Sequence, residues 1–392
     1  MTDHRGDARV SPSPGDARPR RLLTGSSLFF PAATLYGLFV LPASVLAMLG
    51  DVSTFPGIGY PAGHAHEMLF GFALAAVAGN QLGPMARPRL VLLFGLWALA
   101  RATYLLAPSS LAAAASNIAF AGLLAAQVAP RLLRSAKKPR NKALPAVLIG
   151  ICASDIAFEL APHVGWAAAE LHILLSAVLL FALLMLFMGG RLIAPAVAGQ
   201  FYRQGGNLEA RVQPRIEAAL IASMTVAVAG SMAASRALLV ASGISAMISG
   251  LLAAVRLLRW RLWALRGRPD LLCLASGYAW LAAGLLALGA ALASGRDPTV
   301  ALHVITVGSI GTLTLNVMSM TWMLKARKDP SRSRVTVMGT LLVGAATLLR
   351  ILAGIRVYPA PPLLLASALC WSSAFALLAG TLLSRSAARP HD

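Results

Sequence analysis

Seven histidines occur in the 392 residues, and five of them, His64, His66, His163, His172 and His303, lie away from the chain ends. Acidic residues gather beside them: Glu67 follows His66, Asp155 and Glu159 are spaced i, i+4, and Glu170 precedes His172 by two. Imidazole nitrogen is the common protein ligand for haem iron, copper and zinc, and a carboxylate next to it fixes its tautomer. The chemistry these types suggest is therefore metal binding, with Glu67 as a candidate proton relay. His64 and His66 stand about 200° apart on an ideal helix, so one of them is the expected ligand, with His303 or His172 opposite. Met68, Met188, Met318 and Met320 are candidate soft ligands or cofactor neighbours. The plainer alternatives are that a methionine in a leucine-rich helix packs, that a histidine at a helix end meets water, and that the carboxylates pair with Arg101 and Arg350.

The elements that position these residues are helices in a membrane. Charged residues make up 12% of the chain, hydrophobic residues 58%, and mean hydropathy is +0.72, whereas a soluble domain carries about 25% charged residues. Lipid must replace water as the main solvent, and only helices or a closed barrel then satisfy the backbone. The apolar runs are leucine- and alanine-rich and about 18 to 25 residues long, which selects helices over the alternating strands of a barrel. An all-α polytopic fold of about twelve transmembrane helices is expected. In chain order the spans run over 26–49, 64–82, 89–106, 111–130, 143–161, 166–189, 216–233, 237–257, 271–293, 299–324, 335–354 and 361–383. Residues 26–384 then form one transmembrane domain, residues 1–25 a disordered cytoplasmic leader and residues 385–392 a cytoplasmic tail.

The formal net charge of +20 does not point to nucleic acid, because the basic residues punctuate apolar runs instead of forming a patch. With both termini inside, 29 of the 34 Lys and Arg fall on cytoplasmic segments, and only Arg101, Arg236, Arg296, Arg350 and Arg356 lie outward. Such a bias fits a multi-pass protein of a bacterial inner membrane, with the lipid bilayer as its main partner. It also places His64 and His66 at the start of the second helix, His172 and His303 in the first turns of the sixth and tenth, and His163 in an outer loop. All five then sit within about 10 Å of the outer interface, at about 1.5 Å per residue. Asp155, Glu159, Arg101 and Arg350 share that level, where ionisable groups are functional candidates by default.

No phosphate-binding loop, dinucleotide fingerprint, CxxCH haem attachment or paired CxxC zinc site occurs. Cys152, Cys273 and Cys370 read as small buried hydrophobes. Gly189 and Gly190, before Arg191, are expected to end the sixth helix. Gly308 and Gly311, with Thr306, Thr312 and Thr314, give the tenth a small-residue face suited to close helix contact or a flat cofactor.

The stretch from His64 to Phe72, HAHEMLFGF, closely resembles the signature of the NnrS family of bacterial membrane proteins. Leu184 to Ile193, with Met188-Gly189-Gly190-Arg191, looks like that family's MGGR segment. His303 to Gly311, with Thr306 and Gly308, looks like its H-x-x-T-V-G-x-I-G helix. The resemblance covers essentially the whole chain, but the family's LGHTGR-like segment is replaced by Met323 to Lys328, without a histidine, and its TAVPNWT-like segment by Asn80 to Met85. It implies haem and/or copper as cofactor, His64, His66 and His303 as metal-site residues, and a role with nitric oxide, nitrosative stress or denitrification. A small neutral gas needs no aqueous channel to reach such a site. The competing functions are a twelve-helix secondary transporter and an assembly factor that handles haem or copper.

Overall fold

The computed structural model describes residues 22–50, 55–136, 142–233, 235–265, 267–355 and 359–386. Among these, twelve helical rods follow one another: α1 Ser26–Leu49, α2 over 61–81, α3 Arg87–Leu106, α4 Leu111–Ser135, α5 Ala143–Leu160, α6 Ala167–Arg203, α7 Pro214–Ser231, α8 Arg236–Arg259, α9 Pro269–Ser294, α10 Thr299–Lys325, α11 Arg334–Gly354 and α12 Ala360–Ser386. Ten of them are long and apolar enough to cross a membrane. The remaining two, α2 and α7, carry the polar groups that lower their hydropathy: His64, His66, Glu67, Asn80 and Gln81 on one, Arg215 and Glu217 on the other. The chain is thus an all-helical polytopic membrane protein, as its composition predicts. Residues 1–21 of the expected leader and 387–392 of the expected tail lie outside the described residues.

Contacts between chain-distant segments separate two faces. Lys325 Nζ, at the end of α10, donates to Thr24 Oγ1 at 2.8 Å and also to Ser26, just where α1 begins. Leu22–Leu23 pairs antiparallel with Met85–Ala86, between α2 and α3. On the opposite face, Arg236 at the start of α8 donates to the carbonyls of Leu292 and Ala293 at the end of α9, at 2.7 and 2.8 Å. His172 at the start of α6 meets the Ser231 carbonyl at the end of α7 at 3.0 Å. Each pairing joins ends that a strict alternation of twelve crossings puts on one side; a span missed or added midway would set them on opposite sides.

The bundle is apolar outside and inside. Phe39, Leu99, Leu251, Leu341 and Leu369 are all more than half exposed, which in lipid leaves no group unsatisfied. The most apolar stretch of α10 is 72% buried and those of α6 and α9 61%, against 28% for α11, so α6, α9 and α10 form the centre. The terminal helices close the bundle: Trp371 Nε1 donates to the Gly37 carbonyl at 2.9 Å and Ser372 Oγ to that of Leu38 at 3.0 Å. Between α8 and α9, Gly243 and Gly289 lie so close that a Cβ on either would come within 2.6 Å of the other's carbonyl oxygen, a contact that only small residues permit.

One expected boundary is corrected. Gly189 and Gly190 do not end α6; the backbone widens into a π-helix over Gly189–Ile193 and continues to Arg203. The cause is lateral: a Cβ at Gly189 would lie 2.4 Å from the Tyr278 ring, and one at Gly190 2.1 Å from Arg256 Nη2. These glycines admit neighbours to the helix surface, and Pro195 sits in the first turn of the resumed α-helix, where its missing N–H costs least. Among the described residues two further π segments occur, Glu67–Ala73 in α2 and Val304–Gly311 in α10. All three coincide with the motif stretches singled out from the sequence, and π insertions concentrate at functional sites.

Candidate metal centre

His66 lies fully buried where α2, α3 and α5 meet. Its Nδ1 is 2.9 Å from Glu67 Oε1, and its Nε2 is 3.2 Å from Asp155 Oδ1 and 3.0 Å from Glu159 Oε1. The i, i+4 spacing of Asp155 and Glu159 puts both carboxylates on the face of α5 that looks at α2. The ring is stacked between Tyr104, at 4.1 Å, and Phe158, at 4.8 Å, with Phe70 edge-on. Tyr104 is fixed in turn by a 3.0 Å hydroxyl contact with Tyr60.

Glu67 is the hub of a second layer. Arg101 Nη1 donates to its Oε1 at 2.6 Å, Tyr36 donates to its Oε2, and the far end of the Arg101 guanidinium donates to Asn117 Oδ1. Gly71 makes the room: a Cβ there would lie 2.7 Å from the Tyr36 ring and 3.0 Å from Arg101 Nη1. Its carbonyl accepts from Trp97 Nε1 at 3.0 Å. Removing either partner of so buried an ion pair would strand a charge at a cost of about 3–5 kcal/mol.

Side-chain atoms of His66, Asp155 and Glu159, one from each, lie within 4.8 Å of one another, all buried, a set able to hold a metal ion. Asp155 Oδ2 has no hydrogen-bond partner among the described residues, and Glu159 Oε1 meets only His66 Nε2.

His64 and His303 occupy a different setting. Each is half-buried, within electrostatic reach of Arg350, and His303 is within reach of His64. Ser44 Oγ lies 2.8 Å from the Leu41 carbonyl and 2.7 Å from His64 Nδ1; with its single proton on the carbonyl, it accepts from Nδ1–H. His303 Nδ1 donates to the Thr299 carbonyl at 2.7 Å. Nδ1 therefore holds the proton in His303, and in His64 when Ser44 donates to Leu41; Nε2 of each has no hydrogen-bond partner among the described residues. A second-layer oxygen that fixes the tautomer in this way is the usual support of a metal-ligating histidine.

The structure therefore brings His64 and His303 into one electrostatic neighbourhood and seats His66 among carboxylates. His172 is tied to α7 through Ser231, and His163 is exposed in the loop between α5 and α6. Met68 and Met188 pack partly buried against the core, and Met318 is buried with the Thr34 hydroxyl 3.9 Å from its sulfur. Gly308 lets α10 approach Trp280 and Thr347, and Thr306 is half-buried beside it. Arg191 lies over the Phe187 ring at 6.0 Å, lining a cavity of about 310 Å³ with Arg256 and Glu217. Arg101, weighed from the sequence as a structural partner for a carboxylate, pairs with Glu67. Tyr36, Ser44, Tyr104, Asn117 and Phe158 were not foreseen; their types are common in membrane helices, and nothing in their spacing marks them.

Fold and site together define a polytopic helical membrane protein with a buried histidine–carboxylate cluster able to bind metal. The family model described as NnrS protein matches residues 23–385, nearly the whole chain. The chain belongs to the NnrS family. No curated protein sequence matches it.

Proposed function

We propose that this chain is a metalloprotein of the bacterial inner membrane that acts in the response to nitric oxide, with haem or copper held by His64 and His303 near the outer face. The observation that carries this reading is the pair of imidazoles whose Nδ1 atoms are engaged by Ser44 and the Thr299 carbonyl, leaving both Nε2 atoms for a metal. Neutral imidazole is the donor that haem iron and copper take most readily. His66 suits a haem poorly, because both its ring faces are stacked and both its nitrogens face carboxylates. Haem iron or copper, if held by these residues, would supply the affinity for nitric oxide.

The protein's own groups do the rest. Ser44 and the Thr299 carbonyl orient the two rings. The apolar bundle around them admits an uncharged gas dissolved in lipid and excludes ions. Glu67 is the proton carrier of this reading, supported by its unbroken contacts with Tyr36, Arg101 and His66.

The test is the optical spectrum and metal content of detergent-purified protein. A haem or copper signal that is present in the wild type and lost in His64→Ala and in His303→Ala supports the reading. A folded wild-type protein that takes up neither haem nor copper defeats it.

A further inference from the structure

The cluster around His66 has an electrostatic imbalance that its own side chains do not resolve. Three carboxylates, Glu67, Asp155 and Glu159, face one guanidinium, Arg101, at no more than 4% exposure for any of the four. With a neutral imidazole the group carries two negative charges, and with an imidazolium still one, in a low-dielectric interior where uncompensated charge is costly. The hydrogen bonding is incomplete as well: Asp155 Oδ2 has no partner in either state of the ring, and a neutral ring leaves more unmet. A neutral ring has one N–H, yet both nitrogens of His66 face carboxylate oxygens, which only accept. If Nδ1 donates to Glu67, the Nε2 lone pair confronts Asp155 and Glu159. Asp155 Oδ2 and Glu159 Oε1 then remain buried without a partner.

We infer that His66 Nε2, Asp155 and Glu159 bind a divalent cation of the Mn²⁺ or Fe²⁺ class, at a centre separate from the His64–His303 pair and independent of what that pair holds. A divalent ion cancels the two charges, caps the Nε2 lone pair and gives the orphaned oxygens a partner. Glu67 then accepts from Nδ1–H, which completes a carboxylate–histidine–metal triad with Arg101, Tyr36 and Asn117 behind it.

The geometry selects the ion. Metal–ligand bonds of about 2.0–2.2 Å to two atoms about 3.0–3.2 Å apart subtend about 95°, near the right angle of six-coordinate ions and below the tetrahedral angle zinc prefers. One nitrogen and two carboxylates are a hard-to-borderline set that suits Mn²⁺ or Fe²⁺ over soft Cu(I).

The probe is Mn²⁺ added to detergent-purified, chelator-stripped full-length protein. Wild type is expected to bind one ion per chain, with an electron-spin-echo signature of a coordinated imidazole nitrogen. Asp155→Asn and Glu159→Gln, which keep shape and remove charge, are expected to weaken binding by more than the 10–100-fold typical of losing an outer partner. His303→Ala is expected to leave it unchanged. The inference is overturned if stripped wild type holds Mn²⁺ no better than the Asp155→Asn/Glu159→Gln double variant, or if bound Mn²⁺ shows no nitrogen coupling. It is equally overturned if infrared spectra of Mn²⁺-treated wild type keep a protonated-carboxyl band that Glu159→Gln removes, because protons would then balance the cluster. The spin-echo and infrared readings of the wild type decide the matter even where a variant fails to fold.

Discussion

Glu67 and Arg101 meet through a single oxygen: Oε1 of Glu67 accepts from Arg101 Nη1 at 2.6 Å while lying 2.9 Å from His66 Nδ1. One carboxylate thus couples a structural ion pair between α2 and α3 to the imidazole of the candidate metal centre. In lipid, where no water can step in for a lost partner, the two roles cannot be separated.

Glu67→Gln is expected to destabilise the bundle by about 3–5 kcal/mol, because it leaves the Arg101 charge buried and uncompensated. Thermal unfolding in detergent measures this. Arg101→Lys should restore part of the loss when compared with Arg101→Ala, since the charge returns without the bond to Asn117. Equal stability of the Ala and Lys variants would mean the pair contributes nothing by charge.

Ser44→Ala removes the oxygen that holds His64 Nδ1 but leaves both imidazoles in place. The expected result is a metal affinity at the His64–His303 pair lower by about 10–100-fold, with folding unaffected. Titration of the stripped protein with haem and with copper checks it. An unchanged affinity would show that the tautomer of His64 is irrelevant to ligand binding.

Gly190→Leu forces a branched side chain into the place of the Arg256 guanidinium, 2.1 Å from a Cβ at that position. Overpacking should cost about 1–3 kcal/mol, and displacing Arg256 from Glu217, its partner at 3.0 Å, adds to this. The variant is expected to unfold at lower temperature in detergent than Gly199→Leu, whose Cβ meets open space. Equal melting of the two would deny the glycine its packing role.

Sidedness is open to direct labelling. In a background with Cys152, Cys273 and Cys370 replaced, a cysteine at His163 should react with an impermeant maleimide added outside intact cells. One at Ser135, at the end of α4, should react only after permeabilisation. Reversed reactivity would invert the assigned orientation without altering the fold.

The class of fold was legible in the residues themselves. A chain with 12% charged residues and apolar runs of bilayer length has only helices available to it, and the spacing of its arginines and lysines predicts the orientation that labelling tests. The histidine and carboxylates that the fold brings together, His66, Asp155 and Glu159, were legible as residue types able to bind metal. The end of α6 was not, because Gly-Gly reads as a stop wherever the side chains that press against it, here Tyr278 and Arg256, come from elsewhere in the chain.

Which imidazole faces which partner was decided only in three dimensions. A water-facing helix advertises its buried side by amphipathic periodicity, but a helix surrounded by lipid and apolar neighbours carries no such stripe, so its rotation about its axis cannot be read from one sequence. In α2 that rotation is set by the π-turn at Glu67–Ala73 and by Tyr36 and Arg101 closing on Gly71. The outcome turns His66 toward Asp155 and Glu159 and His64 toward Ser44, a separation of two neighbouring histidines that packing imposes.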